Sequence, residues 1–546
     1  MALRNVDEET KPRTGINRYF DIHKPVFWPA SILIIIMIVT TLALGDQADA
    51  MFSAAQATIS NMGGWFFVLS VNIFLVFSLF IAFSKVGSIR LGGNDAKPEF
   101  SNLAWFAMLF SAGMGIGIMF WSVAEPVFHF TGPPMGEGGT VEAAREAMGL
   151  TFLHWGFHAW AIYAVVGLAL AFFAFNRKLP LSFRSVFYPL LGDRINGWIG
   201  DLIDILAVLA TLFGLATSLG LGVAQVSAGL NYLFGTPDTV WMQVGLILGI
   251  TMIATVSVVL GLDKGVRVLS EFNVRVAAIF LIFMIFVGPT IYIFDSFVQN
   301  VGHYITNIPN YSFWTESYQG TDWQNSWTVF YWAWWISWSP YVGMFIARIS
   351  KGRTVKEFVL GVLIVPSIIT FLWLSAFGGT AISLELEGIG TIGAAVQENV
   401  ATALYVLLEQ FPLVSITSMI AIVLVISFFV TSSDSGSLVI DGLTSGGKLD
   451  APVGQRIFWA QTEGIVAAVL LIGGGLGALQ TAAITSGLPF ALILLIMCYS
   501  LYTGLNEEHA KKLRMEKEAE RESYRDTVVH LIEKRRKSKE ESQTEK

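Results

Sequence analysis

Residues 327–341 read WTVFYWAWWISWSPY: five tryptophans, two tyrosines and a phenylalanine inside an otherwise apolar stretch. An aromatic belt at a membrane surface places its rings near the ends of a span, whereas these run through the middle. On a helix, Trp334, Trp338 and Tyr341 share one face, and Tyr331 and Trp335 share another. Ring faces carry negative quadrupole charge, so several together can enclose a cation that offers no hydrogen-bond donor, a quaternary ammonium above all. Core packing or interfacial anchoring accounts for any single tryptophan here. The density of rings beside Pro340, read as a helix breaker, points instead to a ligand site.

Working outward, the 546-residue chain is 54% hydrophobic and 14% charged, with a mean hydropathy of +0.61. Soluble domains are about 25% charged, so the composition is that of an integral membrane protein. Apolar runs long enough to cross the hydrocarbon core begin near Phe27, Trp65, Leu103, Leu150, Ile199 and Val240. Further runs begin near Val276, Trp327, Phe358, Leu413, Ile457 and Ala482, which implies an all-α protein of about twelve transmembrane helices. The first run is too long for a cleavable signal peptide.

Basic residues precede the first span (Arg4, Lys11, Arg13, Arg18, Lys24) and follow the second (Lys85, Arg90, Lys97). They return after the fourth (Arg177, Lys178, Arg184, Arg194), the sixth (Lys264, Arg267, Arg275), the eighth (Arg348, Lys351, Arg353, Lys356) and the tenth (Lys448, Arg456). The alternate loops hold almost none, with Arg145 the exception. That alternation implies a multi-pass protein of the cell (inner) membrane with both termini cytoplasmic. The lone cysteine, Cys498, lies inside the last span, which leaves no intrachain disulfide and no thiolate metal cluster. Nothing in the composition points to a nucleic-acid partner.

The expected organisation is a cytoplasmic N-terminal tail (1–25), two leading transmembrane helices (26–101), a first repeat unit (102–300), an external amphipathic segment (301–325), a second repeat unit (326–505) and a charged cytoplasmic tail (506–546). Ser122–Gly149 and Gln299–Ser326 read as long external segments, of the kind that form gate covers or interfacial helices. The span Ile199–Phe234 is too long for one straight crossing and is expected to tilt. The tail favours a helix through i,i+4 charge pairs, and either solubilises the chain or meets anionic lipid. Gly113, Gly115 and Gly117 interrupt the third span and Pro340 the eighth. The interruptions lie five spans apart, an odd number, so two units so related have opposite orientations. Paired interrupted helices of this kind mark transporter binding sites, although each glycine alone also suits close helix packing.

Gly113–Glu125 (GMGIGIMFWSVAE) with Pro126 resembles the third-helix motif of the betaine/choline/carnitine transporter (BCCT) family. Trp327–Arg348 (WTVFYWAWWISWSPYVGMFIAR) resembles that family's eighth-helix signature, and His154–Tyr163, Leu202–Leu230 and Phe428–Ser435 (FFVTSSDS) also match. The resemblance runs from the first span to the last and leaves out both tails. It implies a LeuT-like core of two inverted five-helix repeats behind two extra helices, assembled as a homotrimer. It further implies a trimethylammonium box at Trp155, Trp160, Tyr163 and Trp335, with Trp334 and Trp338 along the substrate path. Gly113, Met114, Gly115 and Gly117 would form the unwound stretch that approaches a substrate carboxylate. The implied sodium site takes the hydroxyls of Thr431 and Ser432 and main-chain carbonyls of Ser111, Met114 and Phe428. Oxygen ligands suit a hard cation, although such hydroxyls also bond back to their own helix. His154 and His158 are expected to be satisfied helix histidines rather than a proton relay.

Two absences favour sodium. Exchangers of the family carry an arginine in the fifth span and a methionine in the eighth, yet here no Lys or Arg lies between Arg194 and Lys264, and Val342 follows Tyr341. Proton-coupled choline carriers place an aspartate in the glycine stretch, where this chain has Gly117. One departure counts against a second sodium ion: Thr211 and Tyr341 match that site, but Leu215 stands where its other threonine belongs. The expected function is a sodium-coupled symporter for glycine betaine or a related compatible solute, serving osmoprotection, with sodium as coupling ion and no other cofactor. Choline, carnitine, ectoine or dimethylsulfoniopropionate are the alternative cargoes. A channel or osmosensor on the same fold is the alternative class, and no catalytic cluster suggests an enzyme. Partners are then the small quaternary-ammonium or zwitterionic solute, sodium and membrane lipid.

Overall fold

The structure is a computed structural model and describes residues 19–113, 115–260, 267–448 and 451–544. Among them the regular elements are helices, with one isolated antiparallel bridge between Arg90 and Thr354. The longer helices are α1 (Lys24–Leu44), α2 (Gln47–Phe83), α3 (Asn102–Gly113), α4 (Ile116–Thr131), α5 (Val141–Trp155), α6 (Phe157–Phe175) and α7 (Trp198–Phe234). They are followed by α8 (Val240–Leu260), α9 (Arg267–Val287), α10 (Thr290–Ser312), α11 (Phe330–Ile349), α12 (Val355–Leu374), α13 (Val414–Thr444) and α14 (Val453–Thr544). Among the described residues nine helices are long and apolar enough to cross a membrane, or ten if α3 and α4 count as one bent span. The last of the nine, α14, is two helices meeting at a kink at Gly474 and Gly475. Its charged end continues as helix to Thr544, as the i,i+4 pattern predicts. The aromatic helix α11 is not among the nine, because tryptophan, tyrosine and serine depress its hydropathy.

Local chemistry explains where the helices break. α3 and α4 differ in direction by 66°, and Gly115 between them is fully extended at φ −162°, ψ −169°. α5 and α6 are offset at Gly156, where a Cβ would lie 2.5 Å from the Phe152 carbonyl oxygen and 2.6 Å from the Phe371 ring. Only glycine fits that contact. The expected break at Pro340 does not occur: α11 runs through it to Ile349. Proline leaves the carbonyl four residues earlier without its amide donor, and here the Ser339 hydroxyl donates to that Ile336 oxygen at 2.7 Å. The irregularity of the eighth span lies at its entrance instead, in a π-helical turn at Asn325–Val329.

The two segments read as external loops are also largely helical. α4 continues past Pro126 to Thr131, which leaves only 132–140 before α5, and Glu125 and His129 are fully buried. A polar Glu and His lower the hydropathy and so mimic the end of a span; their buried partners, described below, let the helix go on. In the second segment α10 continues to Ser312 and packs on α5, where the Tyr311 hydroxyl donates to Glu146 at 2.7 Å. Burial, reinforced by that carboxylate, pushes the Tyr311 phenol well above its ordinary pKa. α7 is one unbroken 37-residue helix, in keeping with a tilted or protruding crossing.

Apolar side chains on α1 (Ile32, Ile35, Ile36, Val39), α8 and α9 point outward, as lipid-facing helices require. At one end of the bundle, segments far apart in sequence are joined by charge. Lys448 reaches Asp21 at 2.7 Å, Arg177 reaches Glu507 at 2.8 Å, and His23 reaches Asp201 at 2.8 Å. Arg184 donates to Asp204 at 2.5 Å and lies 2.8 Å from Asp201. Asp204 is fully buried, so removing its partner leaves an uncompensated charge, a loss of about 3–5 kcal/mol. Arg184→Met is therefore expected to lower the melting temperature in detergent markedly, with Arg184→Met/Asp204→Asn recovering much of it. Equal melting of the single variant and the parent would show that the pair contributes nothing.

Candidate substrate and ion site

The break at Gly115 and the offset at Gly156 bring α4, α6 and α11 around a central cavity. Its aromatic wall is Trp155, Trp160, Tyr163, Trp334, Trp335 and Trp338, and Gly115 and Gly117 form its backbone side. Trp334 and Trp335 stack at 4.6 Å with 15° between their planes, while Trp155 meets Trp335 edge-on at 4.9 Å and 72°. Tyr163 stands edge-on to Trp160 at 5.4 Å and to Trp335 at 6.4 Å. Stacked and perpendicular rings together present faces from several directions, the arrangement that encloses an onium group. The Nε1 groups of Trp334 and Trp338 and the Tyr163 hydroxyl are buried without hydrogen-bond partners. Each is a donor a polar ligand could satisfy. Gly117 is required by packing as much as by ligand approach, since a Cβ there would lie 2.8 Å from Trp334 and 3.1 Å from Trp155.

Trp338 also belongs to a second cavity of about 640 Å³, toward Tyr341. Ser111, Phe428, Thr431 and Ser432, the expected ion ligands, all line it, as do Ser270, Asn273 and Ser435. The Thr431 hydroxyl accepts from Asn273 Nδ2 at 3.1 Å and bonds back to the carbonyls of Ser427 and Phe428 at 3.1 and 3.2 Å. Ser427 in turn donates to the Asn273 carbonyl oxygen. Ser270 and Asn273 escaped the sequence reading because the seventh span reads as starting at Val276, which left them in a loop. No motif marks them; α9 simply starts earlier, at Arg267.

Met114, expected both on the substrate path and as an ion ligand, lies outside the described residues, and Gly113 is the last residue of α3. The second-ion residues are not brought together in the same way. Tyr341 lines the inner cavity, but Thr211 does not, and its hydroxyl donates to the Ala207 carbonyl of its own helix at 2.6 Å. Leu215 is fully buried against α13, so close that a Cβ on Gly436 would sit 2.2 Å from its Cδ1.

Behind the aromatic wall lies a polar cluster that the sequence reading left without a role. Glu125 accepts from Trp155 Nε1 at 2.7 Å and from the Tyr331 hydroxyl at 2.5 Å on one oxygen. Its other oxygen meets His154 Nδ1 at 2.6 Å and His129 Nε2 at 3.4 Å. His154 Nε2 pairs with the Thr328 hydroxyl at 3.0 Å, and the His154 carbonyl accepts from Trp335 Nε1 at 2.8 Å. His154 is thus satisfied at both ring nitrogens, in keeping with the satisfied-histidine expectation, while His158 meets the Asn72 side chain through Nε2 at 3.3 Å and leaves Nδ1 without a partner.

Nine to ten candidate spans among the described residues, around an aromatic cavity with a hydroxyl-lined cavity next to it, define a multi-pass membrane transporter rather than an enzyme. The family model for BCCT, the betaine/carnitine/choline family transporters, matches residues 25–510, so the chain belongs to that family. It is 50% identical over 499 residues to glycine betaine transporter 1 of Vibrio parahaemolyticus, covering 90% of this chain and 95% of that one. It is 45% identical over 495 residues to a glycine betaine transporter of Bacillus subtilis, covering 90% and 96%. A further Vibrio parahaemolyticus relative, a glycine betaine/proline/choline/ectoine transporter, is 48% identical over 502 residues, covering 90% and 88%.

Adding a methyl group at Gly117 forces Trp334 and Trp155 apart, and overpacking of this kind costs about 1–3 kcal/mol. Gly117→Ala is expected to weaken solute affinity about tenfold while the protein still reaches the membrane. An unchanged affinity would separate the cavity from binding.

Proposed function

We propose that this chain is a sodium-coupled symporter that takes up glycine betaine or a closely related compatible solute by alternating access. The carrying observation is the aromatic cavity, with its unpartnered indole and phenol donors, joined at Trp338 to a cavity lined by hydroxyls. The trimethylammonium group would lie against Trp155, Trp160, Tyr163 and Trp335, where desolvated cation–π contact is worth about 2 kcal/mol or more. The carboxylate would take backbone amides around Gly115 and Gly117 and an indole donor. Trp334 and Trp338 would line the path inward. Sodium would be held by Thr431 and Ser432 with carbonyls of Ser111, Met114 and Phe428, and Asn273 would orient the Thr431 oxygen. The engaged Thr211 hydroxyl and the packed Leu215 favour one sodium ion per cycle over two.

On this reading the chain crosses the membrane twelve times: the bent pair α3–α4 is one span, α14 contributes two, and α11 is a span despite its low hydropathy. Two leading helices precede two inverted five-helix units, both termini face the cytoplasm, and the working form is a trimer serving osmoprotection. One unit rocks against the other around the fixed site. Each sodium moved down a membrane potential supplies about 2.3 kcal/mol per 100 mV, and joint binding of solute and ion favours the occluded state through differential affinity.

The relatives' names include choline, proline and ectoine, so cargo is tested first. Uptake of labelled glycine betaine into proteoliposomes is expected to be concentrative with an inward sodium gradient and to collapse without it. Stronger competition by choline or ectoine than by glycine betaine would reassign the cargo, and indifference to the gradient would remove the coupling. Trp335→Ala is expected to abolish most uptake without loss from the membrane, and Ser432→Ala to raise the sodium concentration for half-maximal rate several-fold. A sodium curve identical to the parent's would overturn the ion assignment.

A further inference from the structure

The Glu125 carboxylate is fully buried at the back of the aromatic wall, and none of its four hydrogen-bonding partners is a lysine or arginine. Trp155 Nε1 can only donate, and it donates to Oε2 alongside the Tyr331 hydroxyl. Both histidine nitrogens converge on Oε1. An acceptor-only, ionised carboxylate satisfies all four at once, whereas an acid would have to turn one donor into an acceptor. The indole bonded to this carboxylate is also a wall of the cavity. A hydrogen bond from an indole N–H to a carboxylate shifts electron density into the ring, and in a dry interior such polarisation is little screened. The ring face that Trp155 turns to the cavity is therefore more negative than that of an isolated tryptophan. Cation–π attraction follows that charge.

We propose that Glu125 is a specificity-determining positioning residue: through Trp155 it acts as a buried counter-charge that favours solutes with an onium head group over those with a neutral head group of the same shape. The role rests on the onium-box reading above but does not follow from the rings alone. It accounts for a costly carboxylate buried directly behind the aromatic wall. Tyr331 and His154 share the carboxylate and hold it in register, so that Oε2 faces the indole rather than the cavity.

The test compares equilibrium binding of glycine betaine with that of 3,3-dimethylbutanoate, in which carbon replaces the ammonium nitrogen, using the purified full-length protein. The parent is expected to prefer glycine betaine strongly. Glu125→Gln is expected to weaken glycine betaine about tenfold and to leave 3,3-dimethylbutanoate within about twofold, so that the preference shrinks. Parallel weakening of both ligands would overturn the counter-charge and make Glu125 a packing residue. No preference in the parent would instead overturn the onium box itself, a separate failure. In a Trp155→Phe background, which removes the N–H donor, Glu125→Gln is expected to lose most of its effect on glycine betaine; multiplicative effects would overturn transmission through the indole. Should Glu125→Gln fail to assemble, Tyr331→Phe decides: it leaves Oε2 to Trp155 alone and is expected to keep or raise the preference, and a fall would overturn the proposal.

Discussion

A buried carboxylate with no lysine or arginine among its partners must be met by other donors or it is not tolerated, and Glu125 places that demand on three helices at once. Its partners come from α5 (His154, Trp155) and α11 (Tyr331), while it projects from α4 itself. Desolvating such a group costs several kcal/mol unless its lone pairs are filled. The four donors can fill them only if the helices keep one relative position. The aromatic wall inherits that position, because Trp155 is one of the donors and Trp335 hangs from the carbonyl of another, His154. A site that must hold a weakly interacting onium group benefits from rings whose orientation is set from behind.

Backbone irregularity does the complementary work. α4 can turn toward the centre because Gly115 is extended, and α6 can step aside because Gly156 leaves room for Phe371. Irregular backbone at membrane depth survives only where protein buries it or a cavity needs it, and here both breaks adjoin the aromatic cavity. α11 follows the opposite strategy. It carries a proline without breaking, because Ser339 supplies the missing donor, and so keeps Trp334, Trp335 and Trp338 on a rigid helix. Trp338 then belongs to both cavities, which puts a single ring between them.

Much of this was legible before any coordinates. The ring cluster of 327–341, the glycines of 113–117 and the hydroxyls Thr431 and Ser432 were singled out from residue type and motif, and of these the structure gathers Gly115, Gly117, Trp334, Trp335, Trp338, Tyr341, Thr431 and Ser432 around two adjoining cavities. The misreadings share one cause. Hydropathy treats a polar residue as the end of a span, so Glu125 and His129 were assigned to an outer loop and Ser270 and Asn273 to an inner one. All four are buried or line a cavity, and other side chains meet the polarity of Glu125, His129 and Asn273. Pro340 failed as a breaker for the same reason: the partner that rescues the helix is a hydroxyl one residue away, and rescue depends on its rotamer.

Composition and pattern alone determined that this chain is a helical, multi-span membrane protein and that its candidate site is aromatic and hydroxylic. These follow from transfer free energy and periodicity, which are local properties of a segment. The tertiary structure alone decided which donors meet the Glu125 carboxylate, that Leu215 fills the place of a second ligand, and that Asn273 reaches Thr431. Apart from His129, four residues from Glu125, the hydrogen-bonded pairs among these join residues 29 to 206 positions apart. Satisfying a buried polar group is a property of the packed whole, and no window of sequence contains it.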